Sequence, residues 1–383
     1  MRFSIYSLFR LACLVLAVAG STGIMANRLV ERKIPSYKVD NAQPWSVSGY
    51  LLGTKTRKNS LILDMQKDRQ VDLKVEKHHE LDMVSFSPFI EKYGQREAIA
   101  RRKSFSSDGI DLTPGKIEMV RVRYPSGEVA DSRELDWLPN SLAAWDVDTS
   151  RGLSAIFSTG AGYLMRLDWT DERGSLVHDG GRQIAWAVDP PFGVHTFLAE
   201  PSWVGPESGF AKGLMVASIW GIDSATRDFH VGLVWLQLDK ERESIVNYGL
   251  IVDQNLGQKK NLLSYRHPMI RGDSAGMPQL FWMEKSAGQE GWSLKTAAIR
   301  RLPDQSGLES MVINRPRELV MSCKAAPMGF GPGLSWVYYV VADADGCYDN
   351  NVWRKVNFHT EPGLLLADGL AGKVQRPDFE KTR

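Results

Sequence analysis

Four glycines, Gly152, Gly213, Gly276 and Gly333, recur about every sixty residues, and each opens the same phrase. Leu or Met follows the glycine, then an apolar run: SAIFS, MVASIW, PQLFWM and SWVYYVV. A turn and a second strand-like run come next, at 163–169, 229–238, 292–299 and 351–357. A fifth, weaker copy starts at Gly94 with QREAIA. Loop-like stretches holding Pro or Gly precede the clear copies, at 138–139, 203–206, 266–272 and 326–329. A strand–turn–strand unit cannot bury its apolar face alone, so a fixed repeat of such units predicts neighbours stacked on neighbours. The expected fold is all-β, a β-propeller of about six four-stranded blades closed by strands from both chain ends. The segment 364–367 (LLLA) is the expected closing strand, with 46–52 on the other side.

Upstream of the clear copies, strand-like runs stand at 45–53, 60–65, 71–75 and 83–89. The nearest thing to an amphipathic helix is 89–102 (FIEKYGQREAIARR), and Gly94 weakens it. Of twelve tryptophans, Trp169, Trp235, Trp292 and Trp353 fall in the second runs of the repeat. Packing between blades is the expected role, since aromatic side chains bury large areas. A sugar-stacking surface is the alternative.

The chain has 383 residues, 43% of them hydrophobic, enough for a sizeable core. Its net charge of +2, with no block of Lys/Arg interleaved with aromatics, argues against a nucleic-acid partner. Residues 1–26 read as a signal peptide: Arg2 and Arg10, an apolar core at 11–19, then Ala17-Val18-Ala19 as a small-residue cleavage site. A short N-terminal anchor is the alternative. The expected division is a linker or strand lead-in at 27–44, the propeller at 45–375 and a polar tail at 376–383, with no transmembrane domain in the mature chain. The expected address is periplasmic or extracellular. Cys323 and Cys347 would survive processing and form a candidate disulfide, a closure worth about 3 kcal/mol in the loop-entropy model; two unpaired core thiols are the other reading.

The segment 331–356, GPGLSWVYYVVADADGCYDNNVWRKV, resembles the blade phrase of TolB-like β-propellers. Asp345-Gly346, Asp349 and Val352-Trp353 occupy the places of that family's Asp-Gly turn and following strand, with one extra residue at Asn350-Asn351. Val84 to Pro88 is similar to the family's preceding turn but lacks its Asp-Gly. The resemblance implies an extracytoplasmic propeller used for protein interaction rather than catalysis, and fold alone does not set function.

Several patterns invite a chemical reading. Gly272-Asp273-Ser274-Ala275-Gly276 matches the G-x-S-x-G nucleophile elbow, with His178-Asp179-Gly180-Gly181 as an oxyanion loop and Asp343 or Asp345 and His359 completing an acid and base. An elbow needs a strand before the serine and a helix after it. Here the following run aligns with strands of the other copies, and a tight inter-blade loop accounts for the glycines. Arg271-Gly272-Asp273 spells RGD, and a charged glycine loop accounts for that too. Asp343, Asp345 and Asp349 are candidate oxygen ligands for Ca²⁺, although their spacing is not that of an EF-hand and turn capping by Asx side chains serves as well. His78, His79, Glu80 and Asp82 form the densest charged cluster, but adjacent histidines on a strand face opposite ways. His195, His230 and His267, taken as belonging to different repeats, are candidates to converge at the axis. No cofactor is expected. The reading favoured is a non-catalytic protein that binds a protein or polysaccharide. A propeller hydrolase or lyase with a polar funnel comes second, and a Ser274 esterase on an α/β fold third.

Overall fold

The computed structural model describes residues 31–33, 43–48, 51–55, 60–64, 69–74, 79–86, 97–104, 117–146, 152–171, 177, 179–204, 210, 213–256, 263–272, 278–289, 291–303, 309–322, 336–342 and 351–357. Almost all of them lie in strands or in the turns between strands, and the one helical element among them is a single 3-10 turn, Gly193–His195.

Strand β1 (Glu31–Lys33) stands apart from its sequence neighbours and is taken up below. The first sheet is a meander of β2 (Gln43–Ser48), β3 (Leu51–Lys55), β4 (Ser60–Asp64) and β5 (Arg69–Asp72). The second joins β6 (His79–Phe86), β7 (Glu97–Ser104), β8 (Ile117–Arg123) and β9 (Val129–Leu135). The third joins β10 (Ala144–Trp145), β11 (Leu153–Ser158), β12 (Leu164–Thr170) and β13 (Arg182–Gln183). The fourth has five strands, because β14 (Ala185–Trp186) adds in parallel to the outside of β15 (Thr196–Trp203), β16 (Leu214–Ile222), β17 (Phe229–Leu238) and β18 (Ser244–Asn255). The fifth is β19 (Leu263–Gly272), β20 (Pro278–Ser286), β21 (Trp292–Pro303) and β22 (Glu309–Ser322). The last pairs β23 (Trp336–Ala342) with β24 (Asn351–Asn357), and β1 adds to the free side of β24 with Glu31 opposite Val356.

The first five sheets stack in chain order, the second, third and fourth each giving one face to the sheet before and one to the sheet after. Val71 and Leu73 of the first meet Leu81, Ala98, Ala100, Val120 and Val122 of the second. Ile99, Met119 and Leu135, on the second sheet's other face, meet Phe157, Leu167 and Trp169 of the third. Ile156 and Leu164 then meet Leu198, Met215 and Leu236 of the fourth. Val216, Leu233 and Trp235 meet Leu280, Trp282 and Ile299 of the fifth. Strand alternation explains the two-sided pattern, since successive side chains point to opposite faces. First strands touch first strands: β2 with β6, β10 with β15, β15 with β19. Sheets stacked in order, with their first strands gathered together and the last sheet shared by the two ends of the chain, make a β-propeller.

The sequence phrase is shifted by one strand from the sheet. Its two runs are the second and third strands of the third, fourth and fifth sheets, β11–β12, β16–β17 and β20–β21, and the pair β23–β24 of the last sheet, where β23 is at the edge. Gly152 and Gly213 stand just before β11 and β16 with φ of 104° and 86°, a left-handed backbone that an L side chain resists. A Cβ at Gly152 would lie 2.0 Å from the Thr170 carbonyl oxygen.

Several expectations are corrected. The strand that joins the last sheet from the N-terminal side is Glu31–Lys33; residues 46–48 and 51–52 belong to the paired strands β2 and β3 of the first sheet instead, and 364–367 lies outside the described residues. Residues 97–102 of the weak helix candidate belong to strand β7. The stretch 266–272, expected as loop, is most of strand β19, because Pro268 sits at a bulge where no ladder hydrogen bond is required of its nitrogen. Trp169 and Trp235 are buried between sheets, Trp292 is half-buried at the start of β21, and the side chain of Trp353 is not among those described.

Candidate binding face and the polar links beneath it

First strands carry the inter-sheet chemistry. The pairing register shifts in the middle of β2, β6, β15 and β19, at Pro44/Ser46, Asp82/Ser85, Ala199/Ser202 and Arg266/Met269. A bulge re-aims a side chain without ending the strand. In β15 and β19 the bulge holds Glu200-Pro201 and His267-Pro268, with φ of 51° at Glu200 and 49° at His267. Both residues are thus in the αL region that non-glycine residues seldom adopt.

From these bulges polar groups reach the next sheet. The buried Ser85 hydroxyl accepts the Ala143 N–H at 2.9 Å, linking second and third sheets. The buried Ser158 hydroxyl accepts the Glu200 N–H at 3.3 Å, linking third and fourth. The Glu200 carboxylate then joins fourth to fifth. Its Oε2 accepts the His267 N–H at 2.6 Å and its Oε1 accepts from Arg266 Nη1 at 2.8 Å. His267 Nδ1 lies 3.5 Å from the same Oε2. Burial pushes the His267 imidazole below the ordinary histidine range; Glu200 opposes that shift and Arg266 adds to it. The ring is therefore neutral at pH 7.

Further out, Arg133 is 3% exposed and clamps the second sheet to the third. It donates to the Asp168 carbonyl at 2.9 Å and to the Asp179 carbonyl, and its guanidinium lies 5.4 Å from the centre of the Trp169 ring. Arg242 Nε donates to Asp146 at 3.4 Å and the guanidinium lies over Trp203, whose indole N–H donates to the Ala144 carbonyl. Arg271 donates to the Trp203 carbonyl at 2.8 Å, so the arginine of the RGD triplet serves the sheet contact.

The end of the propeller where second strands turn into third strands, and where one sheet passes to the next, is different. Seven large hydrophobic residues are exposed among the described ones, and five of them lie at this end: Leu138, Tyr163, Val194, Ile222 and Met321. Val188 and Val246 lie instead by the outer edge of the fourth sheet, where β14 runs beside β18. Val194 is 88% exposed, yet its turn is tightly built. Thr196 Oγ1 accepts the Phe192 N–H at 3.0 Å and donates to the Gly193 carbonyl at 2.9 Å, and Gly193 N–H donates to the Pro190 carbonyl. Gly193, with φ of 60°, abuts Ser224 of the β16–β17 turn. From there the surface passes by Ile222 to the stacked pair Trp220–Phe197, whose ring centres are 5.8 Å apart, and on to the turn carrying Tyr163, where Leu198 N–H donates to the Gly162 carbonyl.

Carboxylates border this shelf. Asp223 accepts the backbone N–H groups of Ala225 and Thr226 at 2.8 Å, which hold its carboxyl below the usual range. Asp228 accepts from Asn255 at 2.8 Å. Asp253 stands 2.8 Å from His230 Nδ1, and the His230 ring stacks on Phe192 at 4.8 Å.

The residues singled out from sequence fall as follows. Ser274 lies in 273–277, outside the described residues, but β19 and β20 on either side pair antiparallel with Gly272 opposite Pro278. The segment thus joins two strands, and the strand-to-helix setting of an α/β-hydrolase elbow does not occur there. Asp343, Asp345, Asp349, His359, Cys323, Cys347, His78 and His178 also lie outside the described residues, as do the side chains of Glu80 and Asp82. His79 begins β6. The three histidines do not converge. His195 and His230 belong to one sheet, in the lead-in to β15 and in the third strand β17, while His267 is on the first strand of the next. Among the described residues no group of three or more His, Cys, Asp or Glu is placed to hold a metal ion, and no helix is long and apolar enough to cross a membrane. Neither the Glu200–His267 link nor the apolar end was read from sequence. The pattern that held the first is the X-Pro dipeptide in matching strands: Gln43-Pro44, Glu200-Pro201 and His267-Pro268.

No family model matches the chain, and no curated protein matches it. Solved structures similar to it include a glucose dehydrogenase, at 12% identity over 86% of this chain and 99% of that one, with a TM-score of 0.44. The Dos1 propeller is similar at 12% identity over 85% and 95%, with a TM-score of 0.40. An endo-1,4-beta-xylanase from Bacteroides thetaiotaomicron is similar at 9% identity over 75% and 97%, with a TM-score of 0.38.

Proposed function

We propose that this chain is an exported, non-catalytic propeller that binds a protein or polysaccharide partner through the end bearing Val194, Ile222 and Tyr163. One observation carries the reading: five of the seven exposed large apolar side chains among the described residues lie at one end, and the turn that bears Val194 is stiffened by its own hydrogen bonds. Such a patch on an otherwise polar surface marks an interaction site. A rigid turn also lowers the ordering cost of association. The polar groups on first strands, which a hydrolase or lyase would need free, are engaged between sheets in the case of Glu200, Arg266 and His267.

The test is a photo-crosslinking residue at Val194 in the full chain, irradiated in the cells that make it. One discrete adduct is expected there and none from the same residue at Val246. No adduct at Val194, or matching adducts at both positions, overturns the proposal.

A further inference from the structure

We propose that the fourth-sheet corner of this face docks a cationic, aliphatic segment of a protein partner. The inference rests on the binding reading above and narrows it to one class of ligand.

Three observations favour a peptide over a sugar. First, Val194 and Ile222, the exposed apolar side chains of the corner, are aliphatic. Sugars are held by open aromatic faces, and the rings of the fourth-sheet corner are paired with one another, Phe197 on Trp220 and Phe192 on His230, while the exposed ring of this end, Tyr163, belongs to the third sheet. Second, the border is acidic. Among the described residues of these strand ends and turns, Asp223, Asp228 and Asp253 stand with one arginine, Arg227, in a chain whose net charge is +2. The backbone N–H groups on Asp223 keep it ionised well into the acid range. Third, apolar and acidic groups are interleaved at short range. Ile222 and Asp223 are adjacent, Asp223 N–H donates to the Asp228 carbonyl at 2.9 Å, and the Val194 turn abuts Ser224. A segment alternating Lys or Arg with Val, Leu or Ile meets both at once, its aliphatic side chains on the shelf and its cations on the border. Complementary charge of this kind sets selectivity and on-rate, and salt weakens it.

The test uses the full chain and three labelled probes: a peptide alternating lysine and valine, a peptide alternating glutamate and valine, and a neutral xylo-oligosaccharide. Fluorescence anisotropy reads the binding. The lysine peptide is expected to bind about tenfold or more tighter than the glutamate peptide, and to weaken several-fold between roughly 50 and 300 mM salt. Val194→Ser, at a side chain already in water, should cost about fivefold or more without moving the thermal midpoint. Asp253→Asn should flatten the salt dependence. Equal binding of the two peptides, binding of the oligosaccharide alone, or indifference to Val194→Ser overturns the inference. A discrete Val194 adduct with no preference for the lysine peptide removes this ligand class and leaves the binding face standing. Absence of both removes the face as well.

Discussion

Glu200 and His267 occupy matching points on neighbouring first strands, each at a bulge, each in a left-handed backbone and each followed by proline, and the carboxylate of one accepts the backbone N–H of the other at 2.6 Å. A strand bulge with φ near +50° has an N–H that cannot enter its own ladder. Here the neighbouring sheet supplies the acceptor, so backbone strain on one sheet is satisfied by a side chain from the other.

Removing that acceptor should be costly. Glu200→Ala leaves the part-buried His267 N–H unpaired and is expected to lower stability by about 1–3 kcal/mol. Glu200→Gln keeps one amide oxygen for the same donor and should lose about half as much. Urea denaturation of both variants decides it; equal losses would mean that charge, not hydrogen bonding to His267 N–H, is what matters.

The same link makes stability depend on pH with a definite sign. Burial lowers the His267 pKa in the folded state, so the unfolded chain binds the extra proton first as pH falls. The contribution is therefore complete above the ordinary histidine value of about 6.5 and declines below it toward the lowered folded pKa. His267→Asn, which tolerates the left-handed backbone, should remove that part of the slope. Thermal midpoints between pH 7.5 and 5.5 measure it; an unchanged slope in the variant would contradict the assignment.

Arg133 predicts a different response. It is buried, satisfied by two carbonyls and the Asp179 carboxylate, and covered by Trp169. Arg133→Ala should cost about 3–5 kcal/mol by leaving those acceptors and the ring without a partner. Arg133→Lys should not rescue fully, since a single ammonium cannot present the guanidinium fork. Chemical denaturation of the two variants side by side is the check.

Gly152 gives the most local prediction. With φ of 104° and the Thr170 carbonyl where a Cβ would sit, Gly152→Ala strains the entry to β11. A loss of about 2 kcal/mol or more is expected, against near neutrality for Gly160→Ala, where a Cβ meets nothing within 4 Å.

Those glycines also show what could be read in advance. A residue required by backbone sign leaves a mark in sequence wherever the same turn recurs, so Gly152 and Gly213 exposed the repeat and, through it, the fold. Glu200-Pro201 and His267-Pro268 fill matching bulges, but that regularity is hidden in sequence, and Pro44 of β2 comes just before its bulge. Val84 stands where proline would continue the pattern in β6, and proline inside a strand reads as a break, so 266–272 reads as loop. Glu200 and His267 carry no signal of partnership, because their contact depends on the angle at which two sheets stack. Val194 and Ile222 are ordinary hydrophobics in sequence, and only the fold brings them to one exposed end.

The three-residue strand Glu31–Lys33 on β24 imposes an order of events. The meanders are built from neighbouring strands, so each can assemble as it emerges, at low entropic cost. The join between Glu31 and Val356 has to wait for almost the whole chain. Until then the stack has two raw ends, one of them the unpaired edge of β24, ready to accept any strand that passes. A young chain of this kind is an open spring looking for its own beginning, and the first strand it finds decides whether it becomes a closed molecule or part of an aggregate.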